Sequence, residues 1–327
     1  MSDLRAGALT LPDAKLSNDV SPRSNAPWFP HFGNLRNIED GKLTLSRMHS
    51  RLNQAGLANV PQSLAPKMRT REIRTSVGIP SRVWNKAGVA QEMKETNRVQ
   101  TEMTNRAGVP ALADEIDERL ASLQHPTTAH LREVRREFSV RLKDAAPHVV
   151  IELAMLLLEV PRFEYRFIGY ELIHHHPSAL AHLNAWQLER LGHGISTWGA
   201  VDCFGIYLAG PVWRDRRVPN SLIHGWAHSA DRWWRRAALV STVPLNSKAQ
   251  GGKGETYRTL QVCRILERDG DPMVVKALSW ALRELAKRDP RAVREYVASR
   301  KEVLPALVLR EVINKLSTGV KNARRKG

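Results

Sequence analysis

The chain has 327 residues, with 50 Lys and Arg against 33 Asp and Glu, for a formal net charge of +17. That length supports one large domain or two small ones with a sizeable core, and the charge points to a polyanionic partner, nucleic acid before an anionic membrane. The two cysteines, Cys203 and Cys263, lie outside any CxxC, which excludes a disulfide framework and a thiolate zinc site.

Residues 1–108 are rich in Ser, Asn, Pro, Gly, Arg and Thr, as in LSNDVSPRSNAPWFPHFGN and MRTREIRTSVGIPSR. Apolar residues are sparse there and follow no long period. The composition predicts a basic, mostly irregular N-terminal extension with one polar helix over 87–106. An electrostatic arm for nucleic acid and a solubilising tail both fit it. No basic-then-apolar signal pattern opens the chain, so a soluble, cytoplasmic, nucleoid-associated protein is expected.

Residues 109–327 read as a second, all-α domain. Helix-period segments follow one another, broken by Pro, Gly, Asn or Asp: ALADEIDERLASL, TAHLREVRREFSVRLKD, HVVIELAMLLLEV, RFEYRFIGYELIHHH and SALAHLNAWQLERLG come first. After the apolar helix around STWGAVDCFG come DRWWRRAALVSTV, ETYRTLQVCRILERDG, PMVVKALSWALRELAKRD and LPALVLREVINKL. The longest apolar run, VVIELAMLLLEV, contains two glutamates and stops at Pro161. It is shorter than the ~20 residues a membrane span needs, so it predicts a buried helix and no membrane partner.

Several helices repeat a basic residue followed by an apolar stripe: EYRFIGYELI, WRRAALVSTV, VVKALSWALRE and LREVINKLS. Arg236 and Lys276 are 40 residues apart, and Arg166 and Arg236 are 70 apart. This period suits HEAT-like antiparallel helix pairs of roughly 40 to 47 residues. Stacked pairs make an α-solenoid, and one basic residue per inner helix gives it a concave basic face fit for phosphates.

Within that frame, Trp198 and Asp202 sit at i and i+4 and share a helix face. The neighbours Val201, Cys203, Phe204, Ile206 and Tyr207 are apolar, so Asp202 is not expected on a fully solvated face. A carboxylate in such a place needs a cation. A salt bridge to an arginine and a cationic substrate or transition state both answer that need. DRWWRRAALV brings Trp233, Trp234, Arg235 and Arg236 together, where indoles can stack on sugars or bases and guanidinium groups clamp phosphate. Trp280 follows Lys276 by four residues, another aromatic and cation on one face. His174, His175 and His176 point about 100° apart on a helix and do not converge on one metal. His224 and His228 have helical metal spacing without the glutamate of HExxH. GGKGET (251–256) follows no strand and reads as a flexible loop between helices. No metal or cofactor is expected.

These residues resemble the AlkD-type DNA alkylation repair glycosylases, which are HEAT-like solenoids. TWGAVDCF is similar to that family's W-x-x-V-D segment, RWWRRAALVS to its W-x-x-R-A-A-I helix, and KALSWALRELAKRDPRAVREYV to its K-A-I-G-W-x-L-R-E stretch. LLLEVPRFEYRFIGYELI is similar to its leucine-rich helix end, proline turn and aromatic helix. The resemblance covers roughly residues 109–320. It implies a monofunctional, monomeric glycosylase that removes cationic N-alkylated purines, such as 3-methyladenine and 7-methylguanine, from double-stranded DNA. Asp202 is then the catalytic carboxylate, Trp198 and Trp280 flank the lesion nucleotide, and Arg236 holds the backbone beside it. Arg166, Trp234, Arg235 and Lys276 are expected to contact DNA. Residues 109–137 contain no Phe, Tyr or Trp, where that family often places an aromatic.

Overall fold

The computed structural model describes residues 108–322. The N-terminal extension and the polar helix expected over 87–106 lie outside the described residues. Those that are described form helices and turns, with no strand among them. The first helix, α1, runs to residue 121. It is followed by α2 (Thr128–Arg141), α3 (Pro147–Leu157), α4 (Phe163–His174), α5 (Pro177–His182), α6 (Ala185–Gly192) and α7 (Trp198–Phe204). A π turn over Gly205–Ala209 carries α7 into α8 (Gly210–Arg214). Then come α9 (Asn220–Ala227), α10 (Arg232–Val240), α11 (Val243–Asn246), α12 (Thr256–Ile265), α13 (Pro272–Leu285), α14 (Pro290–Ser299) and α15 (Ala306–Thr318).

Local sequence explains where these helices begin. Thr197, Asp231, Asp271 and Asp289 cap α7, α10, α13 and α14 by accepting from backbone N–H groups one turn in. Prolines open α3, α5, α13 and α14, where the missing N–H costs nothing. The apolar run read as a buried helix is α3, with Val149, Val150, Ile151, Leu153, Ala154 and Leu157 in the core. No described helix is long and apolar enough to cross a membrane.

Packing follows chain order. Helix α4 lies against α2 and α7, α10 against α7 and α13, and α13 against α15. Between these, α3 backs α4, α9 backs α10, and α12 backs α13. Charged pairs join successive members: Glu171 on α4 accepts from Arg132 and Arg135 on α2, each at 3.1 Å.

Three segments differ from the sequence reading. SALAHLNAWQLERLG is two helices, because Asn184 stops α5 and caps α6 in a reciprocal capping box with Gln187. The helix of Asp202 does not stay α-helical. Pro211 has no N–H to offer the Tyr207 carbonyl four residues back, and that oxygen instead accepts from His174 Nδ1 at 3.0 Å. The backbone widens into the π turn just before it. The loop carrying GGKGET does join two helices, but it is pinned: Arg288 donates to the carbonyls of Asn246 and Gly252, and Arg214 to that of Gln250.

Candidate active site

Helix α7 starts at Trp198, which is 37% exposed, and reaches Asp202 one turn later. Asp202 is only 6% exposed. The backbone just after it passes close to the next helices at two glycines: Gly205 meets Val240 at the end of α10, and Gly210 meets Pro244 on α11. A Cβ on Gly205 would stand 2.7 Å from Val240 Cγ1, and one on Gly210 would stand 2.5 Å from Pro244 Cγ. Only a residue without a side chain lets the backbones approach so closely.

That approach delivers Arg236 to Asp202. Arg236 Nε donates to Asp202 Oδ1 and Nη2 to Oδ2, both at 2.9 Å. This is a bidentate pair, the strong planar form of the arginine–carboxylate contact. Arg236 Nη1 donates further to the Met273 carbonyl at 2.5 Å, at the start of α13. Arg236 is itself 6% exposed. Of the two answers open for Asp202, one is present in the fold: its charge meets an internal arginine. The pair does not exhaust it, since two carboxylate oxygens offer about four acceptor positions, and Arg236 uses two. Burial pushes the Asp202 carboxyl above the usual aspartate range, against the opposing pull of Arg236.

The remaining residues singled out from sequence fall into two groups. Trp280 is half-buried on α13, and Lys276 is exposed one turn before it. Arg166, Trp234 and Arg235, all partly buried, make contacts within the protein. Arg166 donates to the carbonyls of Leu191 at 3.4 Å and His193 at 2.7 Å, fastening the end of α6 to α4. Arg235 pairs with Asp269 at 2.6 Å and donates to the Ser229 and Ala230 carbonyls. Trp234 packs against Trp226 and Phe204, with ring centroids 4.9 and 6.0 Å away, and covers Gly192 so tightly that a Cβ there would lie 2.5 Å from the indole. The cause is common to all three. In each case a loop carbonyl or an aromatic from the neighbouring helix lies within reach and needs covering, which spacing along one helix does not reveal.

The histidines also have separate partners. His174 serves Tyr207, His175 Nδ1 lies 2.9 Å from the Glu171 carbonyl, and His176 caps α5 by accepting from Ala179 N–H. Cys203 and Cys263 are buried thiols whose pKa burial raises. One element of the site was not read from sequence: the DGDP turn (269–272), which carries the Met273 carbonyl to Arg236. Its acid-rich, proline-closed pattern signals only a helix start.

A family model described as DNA alkylation repair enzyme matches residues 126–316. The chain belongs to that family. The match begins just before α2 and ends within α15, so Trp198, Asp202, Arg236 and Trp280 all lie inside the family region. No curated protein matches the chain significantly.

Proposed function

We propose that the protein is a monofunctional DNA glycosylase that excises cationic N-alkylated purines of the 3-methyladenine and 7-methylguanine type from duplex DNA. The observation that carries this reading is the buried Asp202 carboxylate, oriented bidentately by Arg236 one helical turn from the exposed Trp198. Family membership supplies the substrate class.

The chemistry suits such a site. Alkylation at N3 or N7 makes the purine a cation, so it is already a good leaving group. The C1′–N bond breaks, its electron pair goes to the base, and the base departs neutral without a general acid. A positive, oxocarbenium-like sugar remains. The free acceptor positions of Asp202 stabilise that charge and take a proton from the water that adds to C1′, leaving an abasic site. Arg236 aims the carboxylate and favours its ionised form, opposing the effect of burial. Trp198 and Trp280 flank the lesion nucleotide, each indole face adding roughly 0.5–2 kcal/mol of attraction for positive charge. The resemblance to the AlkD-type glycosylases implies that the base is removed without the full extrusion that most glycosylases use.

On this reading residues 109–327 form a HEAT-like solenoid domain whose concave basic face receives DNA, and residues 1–108 are a separate basic extension. Lys276 supplies a phosphate contact. The protein acts as a monomer in the cytoplasm, at the nucleoid.

A specific observation favours a second reading, a non-catalytic helical scaffold that binds nucleic acid or protein. The charge of Asp202 is already met by Arg236, as in a purely structural ion pair. Base release from methylated duplex DNA by wild type and Asp202→Asn separates the two, since only the enzyme reading requires release that depends on the carboxylate.

A further inference from the structure

Arg236 has two anchors, the carboxylate of Asp202 and the Met273 carbonyl. The second lies in a turn with its own chain of bonds. Asp269 Oδ2 accepts from Arg235 Nε at 2.6 Å, and Asp269 Oδ1 accepts from the Asp271 N–H at 2.8 Å. Asp271 Oδ1 in turn accepts from the Met273 N–H at 2.8 Å, while its other oxygen lies 3.5 Å from Arg232 Nη1. Adjacent arginines of α10 thus grip the same turn from two sides: Arg235 through Asp269, and Arg236 through the Met273 carbonyl.

We propose that Asp269 is a positioning residue for Asp202: by locking the 269–273 turn to α10 it fixes the Met273 carbonyl, and so the guanidinium that aligns the carboxylate. Asp269 makes no hydrogen bond to Asp202, and it acts through Arg235, the turn and Arg236. The inference rests on the glycosylase reading for its bearing on rate, although the coupling itself is a property of the folded protein.

The coupling has a defined readout, the protonation of Asp202. The elements packed against α7 carry Glu164, Arg166, Glu171 and His174 on α4, Glu189 and Arg190 on α6, and Arg232, Arg235 and Arg236 on α10, with the phenols Tyr165 and Tyr170 on α4 and Tyr207 on the π turn. Of these, Arg236 alone is bonded to Asp202. Glu171 is occupied by Arg132 and Arg135, Arg166 by two carbonyls, and His174 by the Tyr207 carbonyl. A loosened Arg236 therefore leaves burial less opposed, and the Asp202 carboxyl holds its proton to higher pH.

The test is a carbon NMR titration of the Asp202 carboxyl in the full chain, assigned by its loss in Asp202→Asn. It is run on wild type, Asp269→Ala and Asp269→Asn, together with base release from methylated duplex DNA. Asp269→Ala is expected to raise the Asp202 midpoint by half a pH unit or more. It is also expected to lower kcat about tenfold, with affinity for abasic DNA within twofold of wild type. Asp269→Asn retains an acceptor for the Asp271 N–H and is expected to fall between the two. An unmoved Asp202 midpoint in Asp269→Ala overturns the coupling, whether or not the variant is less stable. If wild type releases no base, the glycosylase reading fails by itself, and the titration still decides the role of Asp269.

Discussion

At the scale of single residues, the pair Asp202–Arg236 is the centre of the site. Removing the guanidinium by Arg236→Met leaves a buried carboxylate without its partner, which typically costs about 3–5 kcal/mol. Thermal or denaturant unfolding at neutral pH should show a loss of that order, and adding Asp202→Asn to the same chain should recover much of it. The pH dependence follows from the direction of the Asp202 shift. Burial raises its pKa in the folded protein above the unfolded value of about 3.9. The stability this group contributes is therefore complete below the unfolded pKa and is lost as pH rises through the folded one. Denaturation of wild type and Asp202→Asn across pH should show the wild type losing ground to the variant as pH climbs through that window. Activity should run the other way, with an acid limb above the ordinary aspartate range, because base release needs the ionised form. The shared face of Trp198 and Asp202 was legible in sequence from their spacing. The partner of Asp202 was not, because Arg236 stands 34 residues later and reaches it only through helix packing. The same limit hid the contacts that Arg166, Trp234 and Arg235 make within the protein, to α6, Gly192 and the 269–273 turn.

At the scale of elements, helix placement was largely legible, because apolar period and capping residues act locally. What sequence did not disclose depends on contacts between elements or on one missing hydrogen. Asn184 breaks a segment whose apolar period continues through it, and Pro211 turns the continuation of α7 into a π turn stabilised by a histidine from α4. The close contact of α7 and α10 belongs here also. Gly205→Ala would set a methyl 2.7 Å from the buried, branched Val240. Such overpacking typically costs about 1–3 kcal/mol. Because the two helices must separate to relieve it, base release should fall by more than the stability loss explains. A melting curve and a rate measured well below the transition check both halves. If Gly205→Ala keeps wild-type activity, the close approach is not what sets the distance from Arg236 to Asp202.

At the scale of the whole molecule, a net charge of +17 makes DNA binding an electrostatic matter. Each neutralised phosphate steepens the fall of affinity with salt. Lys276 is exposed on α13 beside Trp280 and makes no ion pair among the described residues. Lys276→Ala is therefore expected to weaken binding similarly on all sequences and to reduce the salt slope by about one. Titrations at several salt concentrations measure this directly. The charge and the all-helical class were plain from composition and period. The share of arginines committed to protein contacts was not, since a guanidinium that clamps phosphate and one that covers a carbonyl look alike in sequence.

On the proposed reading the buried Asp202 carboxylate drives hydrolysis of the glycosidic bond of an alkylated purine. The most direct measurement of this is release of methylated purine from methylated duplex DNA by wild type and Asp202→Asn, with binding to the same DNA measured in parallel. The expected result is release by wild type, a loss of at least a hundredfold in Asp202→Asn, and DNA binding retained or improved in the variant. Release by Asp202→Asn at the wild-type rate, or no release by wild type that binds the DNA, would contradict it.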